Sequence, residues 1–340
     1  MKFSIRLNND LELRDYLRLA QLAEDHDFDQ FWVSNDLFLR SAPVILSAIA
    51  QATRRIQIGS CILNPYTINP GEIAMFASTM DELSGNRFNL GLAAGAADFL
   101  HWVGIEQTKP LVTMRETIQL IRAIQNGSAE PFSGKVYQWS SEAYLRFNAP
   151  RVTPIYLGAM SEGMLSLAGE MADGVLPLLF PPEHYFAVRQ LIGNGMTKRT
   201  DIEANPTATN FDFAACIWVS IDKDRNAARR VLAHKIAYYG HALSPLIYAR
   251  LGVKQADFEP IQHALNHERD ENKAIDMVND NMLAIGVVGD PQDLIARLKP
   301  LVLAGANHIS FGPPLGPNID HAIKILGNAV IPALKSISDV

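Results

Sequence analysis

Six residues near the middle of the chain, Gly158-Ala-Met-Ser-Glu-Gly163, have the make-up of an anion site. A short apolar run ends at Gly158 and an amphipathic segment starts at Met164. The turn between them aims free backbone N–H groups and the positive end of a helix dipole at whatever binds there. Gly158, Ala159, Met160 and Gly163 are therefore candidate binding residues; the competing reading is a plain strand-to-helix turn capped by Ser161. Arg87-Phe-Asn-Leu-Gly-Leu-Ala-Ala-Gly95 is a strand pattern ending in small residues, which brings backbone close to a ligand at Ala94 and Gly95. Ser60-Cys-Ile-Leu-Asn64, followed by Pro65, ends another apolar strand in an Asn-Pro turn.

Three side chains at comparable strand ends have charge or acid–base chemistry. Arg6 keeps its charge near neutral pH and suits a carboxylate or phosphate held by paired hydrogen bonds. Asp36 is a candidate for proton transfer, or for a purely structural ion pair with Arg6. His101, beside Trp102 in the loop expected after the fourth strand, is either a proton shuttle or a solvated surface imidazole. Other chemistries lack their motifs. The sequence has no HxH, HExxH or paired cysteines, no GxSxG elbow and no P-loop, and Gly91-Leu-Ala-Ala-Gly95 fails the spacing of a dinucleotide fingerprint. Metal chemistry and nicotinamide binding on a Rossmann domain are not expected.

The elements that position these residues follow from pattern. Short runs rich in β-branched and aromatic residues alternate with longer amphipathic segments, as in βα units around a parallel sheet. Strands are expected at 2–7, 30–34, 56–63, 88–93, 154–158, 174–178, 211–220 and 308–311, eight in all, the number that closes an α/β (β/α)8 TIM barrel. Helices are expected at 11–25, 42–53, 71–83, 111–124, 164–171, 182–193, 224–237, 291–304 and 319–334. Residues 240–282 read as extra helices inserted before the last strand, and no linker or repeat divides the chain. The expectation is one barrel domain over residues 1–340 with an inserted helical segment at 240–282. Ligands of such barrels sit at the C-terminal ends of the strands, where the candidates above fall.

Bulk properties narrow the partners. At 340 residues with 48% hydrophobic side chains, the chain fills one large core. A net charge of −6 leaves no electrostatic footprint for nucleic acid or an anionic membrane, so a small-molecule substrate and further copies of the chain are the expected partners. The two cysteines, Cys61 and Cys216, lie in apolar runs, as reduced residues of a cytoplasmic protein do. Met1-Lys-Phe-Ser-Ile-Arg-Leu7 enters a strand directly, without an apolar signal core, and no run approaches a membrane span of about 18 apolar residues.

Matching phrases recur in one order along nearly the whole chain. They are Leu22-Ala-Glu24, Phe31-Trp-Val33, Ile58-Gly-Ser-Cys-Ile-Leu-Asn-Pro-Tyr-Thr67, Met80-Asp-Glu-Leu-Ser-Gly-Asn-Arg87, Pro154-Ile-Tyr-Leu-Gly-Ala159, Leu167-Ala-Gly-Glu-Met-Ala-Asp-Gly-Val175, Val288-Gly-Asp-Pro291 and Ala304-Gly-Ala-Asn-His-Ile-Ser-Phe-Gly-Pro-Pro-Leu-Gly-Pro317. In these phrases the chain resembles the luciferase-like flavin and deazaflavin oxidoreductases, in particular the branch containing methylenetetrahydromethanopterin reductase. The likeness does not extend residue by residue through 240–282. It implies a barrel of the bacterial luciferase-like type, with Gly158 to Gly163 on the phosphate of the cofactor's side chain. It also implies a non-prolyl cis peptide at Cys61-Ile62, a bulge against the flat ring system, with Ser60, Asn64, Ala94 and Gly95 beside it.

Three positions depart from the family. Arg6 stands where the reductase branch has a glutamate proposed as a proton donor, and Asn35-Asp36 stands where relatives often have an acidic residue followed by histidine. Ala96-Ala97-Asp98 replaces a more polar Gly-Asp-Lys. The implied function is hydride transfer between a deazaflavin, coenzyme F420, and an organic substrate by a cytoplasmic homodimer or higher homo-oligomer. One alternative is an FMN-dependent monooxygenase with dioxygen as oxidant. Another is a non-enzymatic relative that lost its cofactor, motivated by the changed acid–base residues and opposed by the retained phosphate-loop glycines. The altered positions also mean that the branch's pterin substrate does not carry over automatically.

Overall fold

The computed structural model describes residues 1–199, 211–243 and 245–338. Its first half is a run of βα units: β1 (Lys2–Leu7), α1 (Leu13–Asp25), β2 (Gln30–Val33), α2 (Ala42–Ala52), β3 (Gln57–Ser60), α3 (Pro70–Ser84), β4 (Phe88–Leu92), α4 (Ala97–Trp102) and α5 (Pro110–Gln125). A small antiparallel hairpin, β5 (Phe132–Ser133) and β6 (Gln138–Trp139), precedes β7 (Ile155–Leu157), α6 (Glu162–Met171), β8 (Gly174–Val175) and α7 (Tyr185–Met196). Then come β9 (Asp212–Phe213), β10 (Ala215–Ile221) and α8 (Arg225–Tyr239). Four short helices follow, α9 (Pro245–Leu251), α10 (Glu259–His263), α11 (Glu271–Asp276) and α12 (Asp280–Leu283). The chain ends with β11 (Val287–Gly289), α13 (Pro291–Leu303), β12 (His308–Leu315), α14 (Ile319–Ile325) and α15 (Ile331–Ser338).

Local chemistry explains where elements begin and end. Asn69 accepts a hydrogen bond from Gly71 N (2.8 Å) at the start of α3, Pro70 fills the first helical position, and Gly85 at φ +66° closes the helix. On α1, helical spacing predicts a packed face of Leu13, Tyr16, Leu17, Leu19, Ala20 and Ala23; Tyr16, Leu19, Ala20 and Ala23 are buried, whereas Leu17 is only partly covered and Leu13, in the first turn, is exposed.

The sheet closes on itself. Its order is β11-β10-β12-β1-β2-β3-β4-β7-β8-β9, with parallel pairing between neighbours. β9 and β10 are one strand interrupted at Ala214: Asp212 pairs with Gly174 on β8, and Ala215 pairs with Ile309 on β12. With β11 outside the ring, the eight strands of a barrel remain, each inside or overlapping a segment expected from the sequence. The differences are local. β3 stops at Ser60, where the Cys61-Ile62 peptide is cis, and β8 is short, with Leu178 rejoining the sheet as an isolated bridge to Cys216. β12 runs on to Leu315, the loop expected after β4 holds helix α4, and β11 pairs with Val219 to Ile221 at the end of β10.

Three apolar clusters and a polar plug divide the interior, the smallest gathering Trp32, Tyr156, Leu176, Ala214 and Cys216 with Cys61 and Ile62 packed against it. The largest cluster lies between strands and outer helices. A second gathers Leu232 and Ile236 of α8 with Ile247, Phe258 and Ile285 around Phe180 and Trp218, so α8 and the helices after it pack on the C-terminal rim at β8 and β10. At the opposite end, Asp212 accepts from Lys2 Nζ and from the Tyr156 hydroxyl, both 2.8 Å, and lies 2.8 Å from His308 Nδ1. His308 Nε2 meets the Ser4 hydroxyl at 2.8 Å, making His308 a hydrogen-bonded core residue. This network fills the end of the barrel away from the ligand face and belongs to stability. Among the described residues no helix is long and apolar enough to cross a membrane.

Candidate active site

The loops after β3, β4 and β7 meet at one glycine. A Cβ on Gly158 would lie 3.1 Å from Ile62 Cγ2 and 3.2 Å from Ala93 Cβ, so glycine lets the cis bulge and the two neighbouring loops close into a continuous surface. Gly95 has φ +78°, and a Cβ there would lie 2.9 Å from Asn64 Nδ2. Asn64 itself builds its turn, Oδ1 accepting from the backbone N–H groups of Tyr66 and Thr67 at 3.0 Å each. Gln107 Nε2 donates to the carbonyls of Ala94 and Gly95, both 2.9 Å, and pins the loop after β4.

At the start of α6 a side-chain cap and free backbone donors stand side by side. Ser161 is the cap, its hydroxyl accepting from Met164 N at 3.3 Å. The N–H groups of Glu162 and Gly163 have no acceptor among the described residues and remain available to an anion. Met160 is exposed, whereas Ala159 is buried in the core and contributes backbone only. Ser60 is also buried; its hydroxyl donates to Gly91 O and accepts from Gly91 N, both 3.0 Å, which locks β3 to β4.

Arg6 points into the top layer of the barrel. It is 6% exposed; Nε donates to the Ser310 hydroxyl at 3.1 Å, and the buried Nη2 has no hydrogen-bond partner. Gly312 makes room for it, since a Cβ there would fall 2.3 Å from Arg6 Nη2. The loop bearing Asp36 is held by buried Asn9, whose Nδ2 donates to the carbonyls of Asp36 (3.0 Å) and Arg40 (2.7 Å) while Oδ1 accepts from Asp36 N (3.2 Å). Tyr16 braces the preceding turn, donating to Asn8 O and accepting from Leu11 N. Asn9→Ala should therefore cost about 2 kcal/mol, because buried backbone groups lose their partners. Its local signature is faster amide hydrogen exchange over residues 34–41, and unchanged exchange there would show that the loop holds without Asn9.

The sequence reading missed one member of this cluster, Lys235 on α8. Asp224 caps that helix, accepting from Asn226 N (2.9 Å) and Ala227 N (3.2 Å). Lys235 Nζ stands 5.0 Å from the Trp218 ring centroid and 4.5 Å from that of Tyr239, and Trp218 packs on Phe180 at 4.5 Å. Burial lowers Lys235 to about 8, with Asp10 and Asp36 opposing that shift and Arg6 adding to it. Asp36 is exposed, yet the protein around its carboxyl raises it, with Lys235 pulling the other way and Asp10 pushing further up. Burial likewise raises the Cys61 thiol to about 12 against the pull of Arg6. Tyr239 is raised by burial and then by Asp36 and Asp10.

Arg6 and Asp36 thus share one electrostatic neighbourhood with Asp10, Cys61, Tyr239 and Lys235, but they form no direct ion pair. His101 lies apart on exposed α4, and its imidazole has no hydrogen-bond or ion-pair partner among the described residues. A lysine on a mixed helix face carries no signal of its own; only a Tyr four residues on, at position 239, hints at a shared face.

The chain as a whole is similar to known proteins. Residues 1–308 match the luciferase-like monooxygenase family. The chain is 32% identical over 339 residues to 5,10-methylenetetrahydromethanopterin reductase of Archaeoglobus fulgidus, covering 98% of this chain and 100% of that one. It is 32% identical over 313 residues to the enzyme of the same name from Methanolobus tindarius, covering 92% and 94%. Among solved structures, the coenzyme F420-dependent tetrahydromethanopterin reductase of Methanopyrus kandleri superposes with a TM-score of 0.89 at 26% identity, over 98% of this chain and 99% of that one. The chain belongs to the luciferase-like monooxygenase family, in the branch that holds the methylenetetrahydromethanopterin reductases.

Proposed function

We propose that this protein is an oxidoreductase that moves a hydride between coenzyme F420 and an organic substrate. The observation that carries this reading is the full-length likeness to an F420-dependent reductase, and the surface where Ile62, Ala93 and Gly158 meet is the place proposed for the cofactor. The residues present suit the group: the apolar side chains of Ile62 and Ala93 close against Gly158 for a ring system, and the unpaired N–H groups of Glu162 and Gly163 for a phosphate. When bound, a deazaflavin supplies two-electron hydride chemistry. The protein supplies position and protons.

On the substrate side, Arg6 holds an anionic group through its unpaired Nη2, and Asp36 exchanges a proton. The same reading makes the protein cytoplasmic and homo-oligomeric, with exposed Val44 on α2 and Met75 and Leu83 on α3 offering an apolar face to a second copy. Titration with F420 and with FMN, followed by fluorescence, tests the cofactor. Binding of F420 without FMN is expected; the reverse would transfer the reading to a flavin monooxygenase.

Arg6→Met should lower kcat/KM for an anionic substrate by about 100-fold, close to 3 kcal/mol, while leaving F420 affinity nearly unchanged. Asp36→Asn should erase the acidic limb of the pH–rate profile, a limb set above the ordinary aspartate range because the protein around this carboxyl raises it against the pull of Lys235. If the variant keeps the parent's rate and profile, Asp36 has no part in proton transfer.

A further inference from the structure

We propose that Lys235 is the proton donor for a carbonyl substrate, its Nζ protonating the oxygen of a C=O bond as the carbon accepts hydride. The inference rests on the deazaflavin reading above and identifies the acceptor that this site takes.

Geometry is the first support. Trp218 on β10 pairs in register with Gly312 on β12, and Gly312 is the residue against which Arg6 Nη2 packs. Lys235, over the Trp218 ring, and Arg6, against Gly312, therefore stand in one row across the C-terminal rim. Lys235 has no hydrogen bond or ion pair among the described residues; the faces of Trp218 and Tyr239 hold the cation and leave its N–H donors available. Arg6 fills the interior position but keeps its proton near neutral pH, so it stabilises negative charge without donating.

Charge distribution chooses the acceptor. Asp10 and Asp36, the carboxylates facing Lys235, are exposed, whereas Arg6 is buried and Lys235 half-buried. The inner end of the site is therefore cationic, which disfavours an iminium and favours a carbonyl whose oxygen gains electron density during reduction. In the step, hydride brings its electron pair to the carbonyl carbon and the C=O π pair moves onto oxygen. A Lys235 N–H bond breaks as the O–H bond forms. The substrate is reduced to an alcohol, the reduced deazaflavin is oxidised, and the neutral amine is reprotonated from solvent. Burial, with Arg6, sets Lys235 near 8 against Asp10 and Asp36, so near neutral pH the ammonium predominates and yields its proton readily. Because the charged form is the donor, carbonyl reduction should fall as the pH rises through about 8.

The test has three arms. Competitive acetylation of the cofactor-free protein with acetic anhydride, read by peptide mass spectrometry, should give Lys235 half-maximal reactivity near pH 8. That midpoint should rise in Arg6→Met, which removes a like charge, and fall in Asp36→Asn. Fluorescence titration should show parent, Lys235→Met and Lys235→Arg binding F420 alike. With acetone, cyclohexanone and pyruvate as oxidants of reduced F420, both variants should lose about 100-fold in rate and the parent's alkaline limb, since arginine does not release a proton. Labelling of Lys235 like an ordinary surface lysine would overturn the proposal. So would Lys235→Met retaining the parent's rate and alkaline limb, or a parent that binds F420 and reduces none of the three carbonyls. A parent that fails to bind F420 defeats the cofactor reading instead.

Discussion

Leucine at position 158 is expected to weaken F420 binding by at least about 50-fold, a loss near 2.3 kcal/mol. A methyl group alone would lie 3.1 Å from Ile62 Cγ2 and 3.2 Å from Ala93, which a small shift of either neighbour accommodates. A branched side chain has no such relief: it either pushes the loop of the cis bulge away from the α6 turn or projects over the surface that the three loops form. Gly158→Ala should accordingly lose only a few-fold. Fluorescence titration separates the two variants, and denaturant melts check that both remain folded. Parental affinity in a folded Gly158→Leu protein would remove the cofactor from this surface.

Asp212→Asn should destabilise the fold by roughly 3 kcal/mol, because breaking a buried ion pair leaves its partner uncompensated. The carboxylate sits between His308 and Lys2 and also accepts from Tyr156, at the barrel end remote from the ligand face. Burial alone would raise its pKa, but His308 and Lys2 together outweigh burial and hold it well below the usual range. A carboxyl depressed in the folded state contributes stability that is fully present above its unfolded value of about 3.9 and is lost as the pH falls toward the folded value. Urea unfolding of parent and variant should therefore show a constant gap from neutral pH down to about 5, closing below about 4. A gap that widens in acid would contradict this assignment.

The repeated alternation of β-branched runs and amphipathic segments was enough to identify eight strands and the helices between them, because those periods are written into neighbouring residues. The Ser161 cap before α6 was legible for the same reason, since it acts on backbone groups within a few residues. Family phrases located the loops that carry Ile62, Ala94 and Gly158 and implied the cis peptide at Cys61-Ile62, which is present. They did not reveal that the Ser60 hydroxyl is consumed by Gly91, a residue on the next strand. Nor did they show that Arg6 and Asp36 stand in one cluster without an ion pair, since that depends on how Asn9 and Gly312 set each side chain.

Lys235 lay furthest from reach. Helical spacing places it between Leu232 and Ile236 but does not say which side of α8 faces the rim. That is decided by the docking of α8 to α12 on Phe180 and Trp218, through contacts between residues far apart in the chain. Strand and helix are properties of local period, so the sequence alone determined the barrel. The burial and charge that tune an acid or base are sums over neighbours supplied by other elements, so only the tertiary structure decided which side chains can carry the chemistry.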